Sequence, residues 1–132
     1  EKLDSICIIT PYKAHAEKLK EVFENHSRYF DSASRTFRTF IDRNIYTIDS
    51  FQGREQDNVI INWVRSNYTS PGATTRTGFL IDYRRINVAL SRARKRLILI
   101  GDFETLTKSE NMKVQYIFAK LKNIRKEDRI VL

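Results

Sequence analysis

Cysteine occurs once in the 132 residues, glycine four times and proline twice. Those scarcities exclude whole classes of protein. A lone Cys7 leaves no disulfide framework and no cysteine-built metal site within the chain. Set inside the apolar run "ICIIT", it reads as a small buried hydrophobe. The glycines stand at 53, 72, 78 and 101, and none precedes a lysine, so the phosphate-cradling pattern G-x-x-x-x-G-K-[ST] is absent. No apolar run approaches the roughly 18 residues of a membrane span, and no charged-then-apolar leader is visible. The sequence therefore reads as a soluble intracellular protein, cytoplasmic or nuclear, without a membrane partner. No internal repeat or low-complexity segment is present.

Positive charge is what the chain has in excess. Twenty-four Lys and Arg face sixteen Asp and Glu, a net charge of +8. A balance of that size suits a polyanionic partner, whether nucleic acid, nucleotide or anionic membrane, although basic proteins also stay dissolved this way. With 41% hydrophobic and 30% charged residues over this length, one compact domain with a true core is expected.

The periodicity alternates between strand and helix. "SICIITPY" is a β-branched run stopped by Pro11. From Lys13 the period becomes helical, with Ala16, Leu19, Val22 and Phe23 on one face. "SRYFDSASRTFRTFIDRN", 27–44, has no clean period and reads as an irregular connection. "IYTI" is a second strand, "FQGRE" a tight turn around Gly53, and "NVIINWV" a third strand. A loop rich in Gly, Pro, Ser and Thr follows at 66–78. "DYRRINVALSRAR" places Ile86, Ala89, Leu90 and Ala93 on one helical face, with Arg85 and Arg92 sharing another. "RLILIGD" is a fourth strand, and "MKVQYIFAKLKNI" a closing helix with Val114, Ile117, Phe118 and Leu121 aligned. Strands apolar on both faces, alternating with helices, imply an α/β fold with a mainly parallel sheet covered on both sides. Ligands of such sheets bind beyond the carboxyl ends of strands, where Thr10 to Tyr12, Asp49 to Glu55 and Arg65 to Asn67 are expected.

Three clusters carry candidate chemistry. In "ITPYKAH", Tyr12 directly after a strand either stacks on a base or caps the edge of the core. In "TIDSFQGREQD", Gly53 permits a tight turn amid polar groups; Glu55, an acceptor only, either binds a ribose hydroxyl or forms a surface ion pair. In "RRINVALSRAR", arginine forks suit phosphate, while a solvated basic face is the plain alternative. Arg94, Lys95 and Arg96 crowd the junction with the fourth strand.

"TPYKAH", "TIDSFQGREQDNVIINWVRSN" and "DYRRINVALSRARKRLILIGD", in this order and spacing, resemble motifs IV, V and VI of superfamily 1 helicases. The resemblance is to the 5′-to-3′ branch that includes the nonsense-mediated-decay helicase, the senataxin-like helicases and the Okazaki-fragment helicase–nuclease. It covers about residues 5 to 102, and three motifs in register are far more specific than any one.

The resemblance implies a three-layer RecA-like fold and the second motor domain of an ATP-dependent DNA or RNA helicase, over residues 1–132. ATP and Mg²⁺ would then be shared with a first, N-terminal RecA-like domain of the same chain. Matched residue by residue, Arg92 corresponds to the arginine finger on the γ-phosphate, Glu55 to the acid near ribose and phosphates, and Tyr12 to the ring against adenine. Gln52 and Gly53 match the core of motif V, and Lys13 stands where arginine is frequent, keeping the charge without the fork. Thr10, Pro11, Thr47, Asp49 and Ser50 fall where relatives touch single-stranded nucleic acid or couple it to ATP. His15 replaces a frequent glutamine. No metal ligand is assigned within the chain. Lacking the phosphate loop, the chain by itself is expected to be inactive. The alternative reading is a degenerate helicase-derived module that binds nucleic acid or regulates without hydrolysing ATP.

Overall fold

The computed structural model describes residues 3–26, 35–64 and 82–124. Among these residues four strands form one parallel sheet in the order β2-β1-β3-β4: β1 (Ile6–Thr10), β2 (Ile45–Thr47), β3 (Gln56–Trp63) and β4 (Ala93–Gly101). Among the described residues five α-helices accompany these strands: α1 (Lys13–Asn25), α2 (Arg35–Asn44), α3 (Tyr83–Leu90), α4 (Phe103–Thr107) and α5 (Met112–Lys122). A 3-10 turn, Leu3–Ser5, leads into β1. This is a RecA-like α/β arrangement.

Alternation along the strands divides the core. Cys7 and Ile9 of β1 and Val59, Ile61 and Trp63 of β3 face one layer, made with Ile86 and Ala89 of α3, Leu106 of α4 and Val114 and Phe118 of α5. Ile8 and Ile45 face the other, against Ala16 of α1 and Phe37, Phe40 and Ile41 of α2. Trp63 and Phe118 meet edge to face at 5.4 Å between ring centroids. Truncating a buried side chain such as that of Ile61 would cost about 2–5 kcal/mol, because the packed layers do not collapse into the gap. Burial pushes the Cys7 thiol up to about 12, which keeps it an inert packing group.

The structure meets some of these expectations and corrects others. β1, β2, β3 and α5 lie where the periodicity puts them, and Val114, Ile117, Phe118 and Leu121 do pack inward. The irregular connection expected over 27–44 contains α2, whose Phe37, Phe40 and Ile41 sit at helical spacing among Arg35, Arg38 and Arg43. Val22 is 39% exposed and leaves the apolar face of α1. α3 ends at Leu90 with Ser91 as its cap, so Ala93 opens β4 instead of extending the helix, and Arg85 and Arg92 share no helix face. α4 is too short to show a period in the sequence; Asp102 caps it through Oδ1, which accepts from the Glu104 and Thr105 N–H groups. The 66–78 loop and Arg65 to Asn67 lie outside the described residues.

Candidate functional site

Arg92 follows α3 and precedes β4, at the amino end of the strands. Its carbonyl accepts from the Gln56 N–H at 3.0 Å, and its own N–H donates to Ala89 O at 3.2 Å, so the backbone is pinned on both sides. The side chain is pinned as well: Nε donates to Val88 O at 2.9 Å and Nη1 to Arg54 O at 3.1 Å. A guanidinium carries five N–H donors, so the remaining three are uncommitted among the described residues. Arg54 is itself held, its Nη1 donating to the Tyr46 hydroxyl at 3.2 Å while its guanidinium lies 5.4 Å from that ring's centroid. Tyr46 O–H donates in turn to the Arg43 carbonyl.

Gln52 and Glu55 are exposed on the same descending segment, and neither side chain has a partner among the described residues. Gly53 adopts φ +78°, the left-handed region where a side chain is disfavoured, although a Cβ there would meet open space. Backbone conformation, not crowding, is what calls for glycine.

Two cations of the basic run beyond Arg92 share one carboxylate. Gln56 pairs with Ala93 but Asn58 pairs with Arg96, so β4 carries one extra residue opposite Asp57. That bulge turns two consecutive cations toward one carboxylate: Arg94 Nε lies 3.2 Å from Asp57 Oδ1, and Lys95 Nζ lies 2.6 Å from Oδ2. The Lys95 hydrogen bond, aided by Arg94, holds the Asp57 carboxyl below its ordinary value.

The carboxyl end of the sheet gathers the other cluster. Thr10 and Thr47 are register partners on neighbouring strands. Thr47 and Ser50 interlock, with Thr47 N–H donating to Ser50 Oγ at 2.8 Å and Ser50 N–H to Thr47 Oγ1 at 3.1 Å. Asp49 Oδ1 meets Arg85 Nε at 3.6 Å, tying this turn to α3. Thr10 is fully buried, and its hydroxyl is hydrogen-bonded to His15 Nδ1 at 2.8 Å. Pro11 is buried too, so neither side chain offers a contact surface. His15 takes the more exposed end of that pair. Tyr12 is half-buried at the start of α1, and Lys13 Nζ lies 3.9 Å from Glu17 on the exposed side of the helix.

Residues expected around one nucleotide therefore separate into two groups. Residues 48–55 leave the carboxyl end of β2 and return down one face of the sheet, burying Ile48 and Phe51, to the amino end of β3. Asp49 and Ser50 stay at the carboxyl end, while Arg54 and Glu55 reach the amino end beside Arg92, against the expectation that Asp49 to Glu55 would all lie beyond the carboxyl ends. Ile9 is level with Ile61, so Thr10 stands six residues above Gln56, about 20 Å along the strands. Tyr12 and Lys13 are thus not brought to Glu55 and Arg92, while Gln52, whose N–H donates to Asp49 O at 3.3 Å, lies between the two groups. The Val88 and Arg54 carbonyls that hold Arg92 are invisible in the sequence, since backbone acceptors leave no residue signature. Asp57 and Arg85 could be found only through strand pairing and the packing of α3.

The sequence profile of the AAA domain family matches residues 1–104. An uncharacterized ATP-dependent helicase of Methanocaldococcus jannaschii is 39% identical over 105 residues, covering 80% of this chain and 12% of that protein. Helicase sen1 of Schizosaccharomyces pombe is 42% identical over 101 residues, 76% of this chain and 5% of its own length. The regulator of nonsense transcripts 1 homolog of Drosophila melanogaster is 33% identical over 131 residues, 99% of this chain and 10% of its own. The chain thus spans only a small part of each relative. Among the described residues, no helix is long and apolar enough to cross a membrane.

Proposed function

The chain belongs to the AAA domain family, among superfamily 1 helicases of the sen1 and nonsense-transcript-regulator type, and from that membership we propose that it is the second RecA-like motor domain of an ATP-dependent helicase. The amino end of its sheet would close over ATP held by a first motor domain of the same protein. The carboxyl end would lie on single-stranded DNA or RNA.

The observation that carries this reading is the state of Arg92: a guanidinium fastened by two backbone carbonyls, with its other donors uncommitted among the described residues. Such a group is preorganised for charge that develops on a transferring phosphoryl group, and it loses little rotamer freedom when the cleft closes. Bound ATP, with its Mg²⁺, supplies the phosphoanhydride bond that water breaks. Glu55, beside Arg92 and acceptor-only, would take ribose hydroxyl donors, and Gln52 would hydrogen-bond at the rim of the same cleft. Gly53 lets the backbone turn tightly between them. Because Arg92 comes from the closing domain, hydrolysis would wait on closure. By this reading, the chain without its partner domain would not hydrolyse ATP.

At the other end, Thr47, Asp49 and Ser50 would meet the nucleic-acid backbone, a contact that reads no sequence. Thr10 and Pro11 would act from beneath, Thr10 by fixing His15. Their distance from Arg92 supports reading Tyr12 and Lys13 not with ATP but with this end, where the ring would stack on a base and the ammonium would approach a phosphate. Residues 48–55 then join the two ends by a single short stretch.

The test is steady-state ATPase of the full-length protein with and without single-stranded DNA and RNA. Arg92→Ala should lower the stimulated rate on the order of 10³-fold or more while nucleic-acid binding persists. Near-normal turnover in that variant would overturn the finger, and a wild-type protein silent with both polymers would favour the module that binds without hydrolysing.

A further inference from the structure

The inward face of α5 is spent on Val114 and Phe118, but its outward face carries Met112, Lys113, Tyr116 and Lys120 with no acidic residue among them. Met112 is 81% exposed and Tyr116 64% exposed. Lys120 Nζ lies 5.4 Å from the Tyr116 ring centroid, and Lys113 Nζ lies 4.3 Å from that of Tyr83, the first residue of α3. Arg84 lies 6.0 Å from the same Tyr83 ring. Neither lysine, nor Arg84, forms an ion pair among the described residues. Asp82 caps α3 by accepting from the Arg84 N–H at 3.0 Å and its charge attracts the Arg84 guanidinium, while Glu110 is the carboxylate nearest in sequence to Lys113. Hydrogen bonds from Arg84 and Lys113, aided by their charges, draw the Tyr83 phenol below its ordinary value.

The start of α3 lies by the carboxyl end of the sheet, because Arg85 in its first turn meets Asp49 of the turn after β2, and Lys113 of α5 reaches that start at Tyr83. Cations spaced along two adjacent helices, beside the exposed Tyr116 ring and the half-buried Tyr83 ring, have the makeup of a surface that tracks a phosphate backbone and stacks bases. We infer that single-stranded nucleic acid passing the carboxyl end runs onto the outer faces of α3 and α5, held by Tyr83, Arg84, Lys113, Tyr116 and Lys120. The inference rests on the motor-domain reading and extends its track.

The experiment is fluorescence-anisotropy titration of the full-length protein with a labelled single-stranded homopolymer, dT or U, across a salt series. Removing one lysine–phosphate pairing should flatten the slope of log K against log salt by about 0.7, so Lys113→Ala with Lys120→Ala should flatten it by about 1.4. Tyr116→Ala should weaken binding about tenfold with little change of slope. ATPase without nucleic acid and the melting temperature should stay at wild-type values, since all three side chains project from the surface. Wild-type binding with an unchanged slope and affinity in both variants would overturn the inference, leaving the face to an acidic protein segment. A wild-type protein that binds neither homopolymer would overturn the motor-domain reading itself.

Discussion

The guanidinium of Arg92 is fastened at 3.1 Å to the peptide carbonyl of Arg54, 38 residues earlier in the chain. The turn through Gly53 and the start of β4 are thereby joined at the side chain proposed to meet the γ-phosphate of ATP. Its second anchor, Val88 O, lies in the last turn of α3 and also accepts from Ser91 Oγ at 2.9 Å; a cation there is favoured by the helix dipole.

Arg92→Lys should therefore behave nearly as Arg92→Ala does. An ammonium can take one carbonyl, but it has no planar fork with which to hold two carbonyls and still face an anion. Nucleic-acid-stimulated kcat of the full-length protein should fall on the order of 10²-fold or more with polymer affinity retained. A lysine variant within a few-fold of wild type would show that charge alone suffices.

Gly101 closes β4 against Trp63, where an added Cβ would sit 2.7 Å from Trp63 O and 2.8 Å from Trp63 Cβ. Both neighbours are sheet backbone or its first side-chain atom and have little room to give. Gly101→Ala should lower stability by about 1–3 kcal/mol, read as a drop in the urea midpoint at constant m. An unchanged midpoint would mean that the two strand ends separate freely.

Burial holds the His15 ring below its ordinary value, and its Nδ1 is engaged with Thr10. Between the lowered folded value and the ordinary 6.5, the unfolded chain binds more protons, so stability is full above that range and falls away as pH drops through it. His15→Gln should shrink the difference between melting temperatures at pH 7.5 and at about pH 5.5. An equal difference in both proteins would assign that acid sensitivity to other groups.

Much of this architecture is legible in the chain because strands and helices signal by different periods. Ile8, Ile9, Val59 and Ile61 announce buried parallel strands, and Val114, Ile117, Phe118 and Leu121 announce α5. α2 is obscured because Arg35, Arg38 and Arg43 flank its Phe37, Phe40 and Ile41, and charge density hides the spacing. The boundary between α3 and β4 is ambiguous because Ala93 suits either element, and only the pairing of Gln56 with Ala93 decides it. The candidate residues are legible as motifs, but their division between two ends of the sheet is not. That division depends on the path of 48–55, and a strand as short as Ile45–Thr47 gives no hint of where the chain goes next.

The bulge opposite Asp57 also bears on how the molecule meets others of its kind. Among the described residues β4 pairs only with β3, which leaves its outer rim as an edge that another strand could extend. The extra residue breaks the regular spacing of that rim near its start, and Arg94, Lys95 and Arg96 line the same stretch. A second copy zipping on in register would have to bring like charges together across a kink. The edge is thus built to refuse templated growth, the first step toward a fibril.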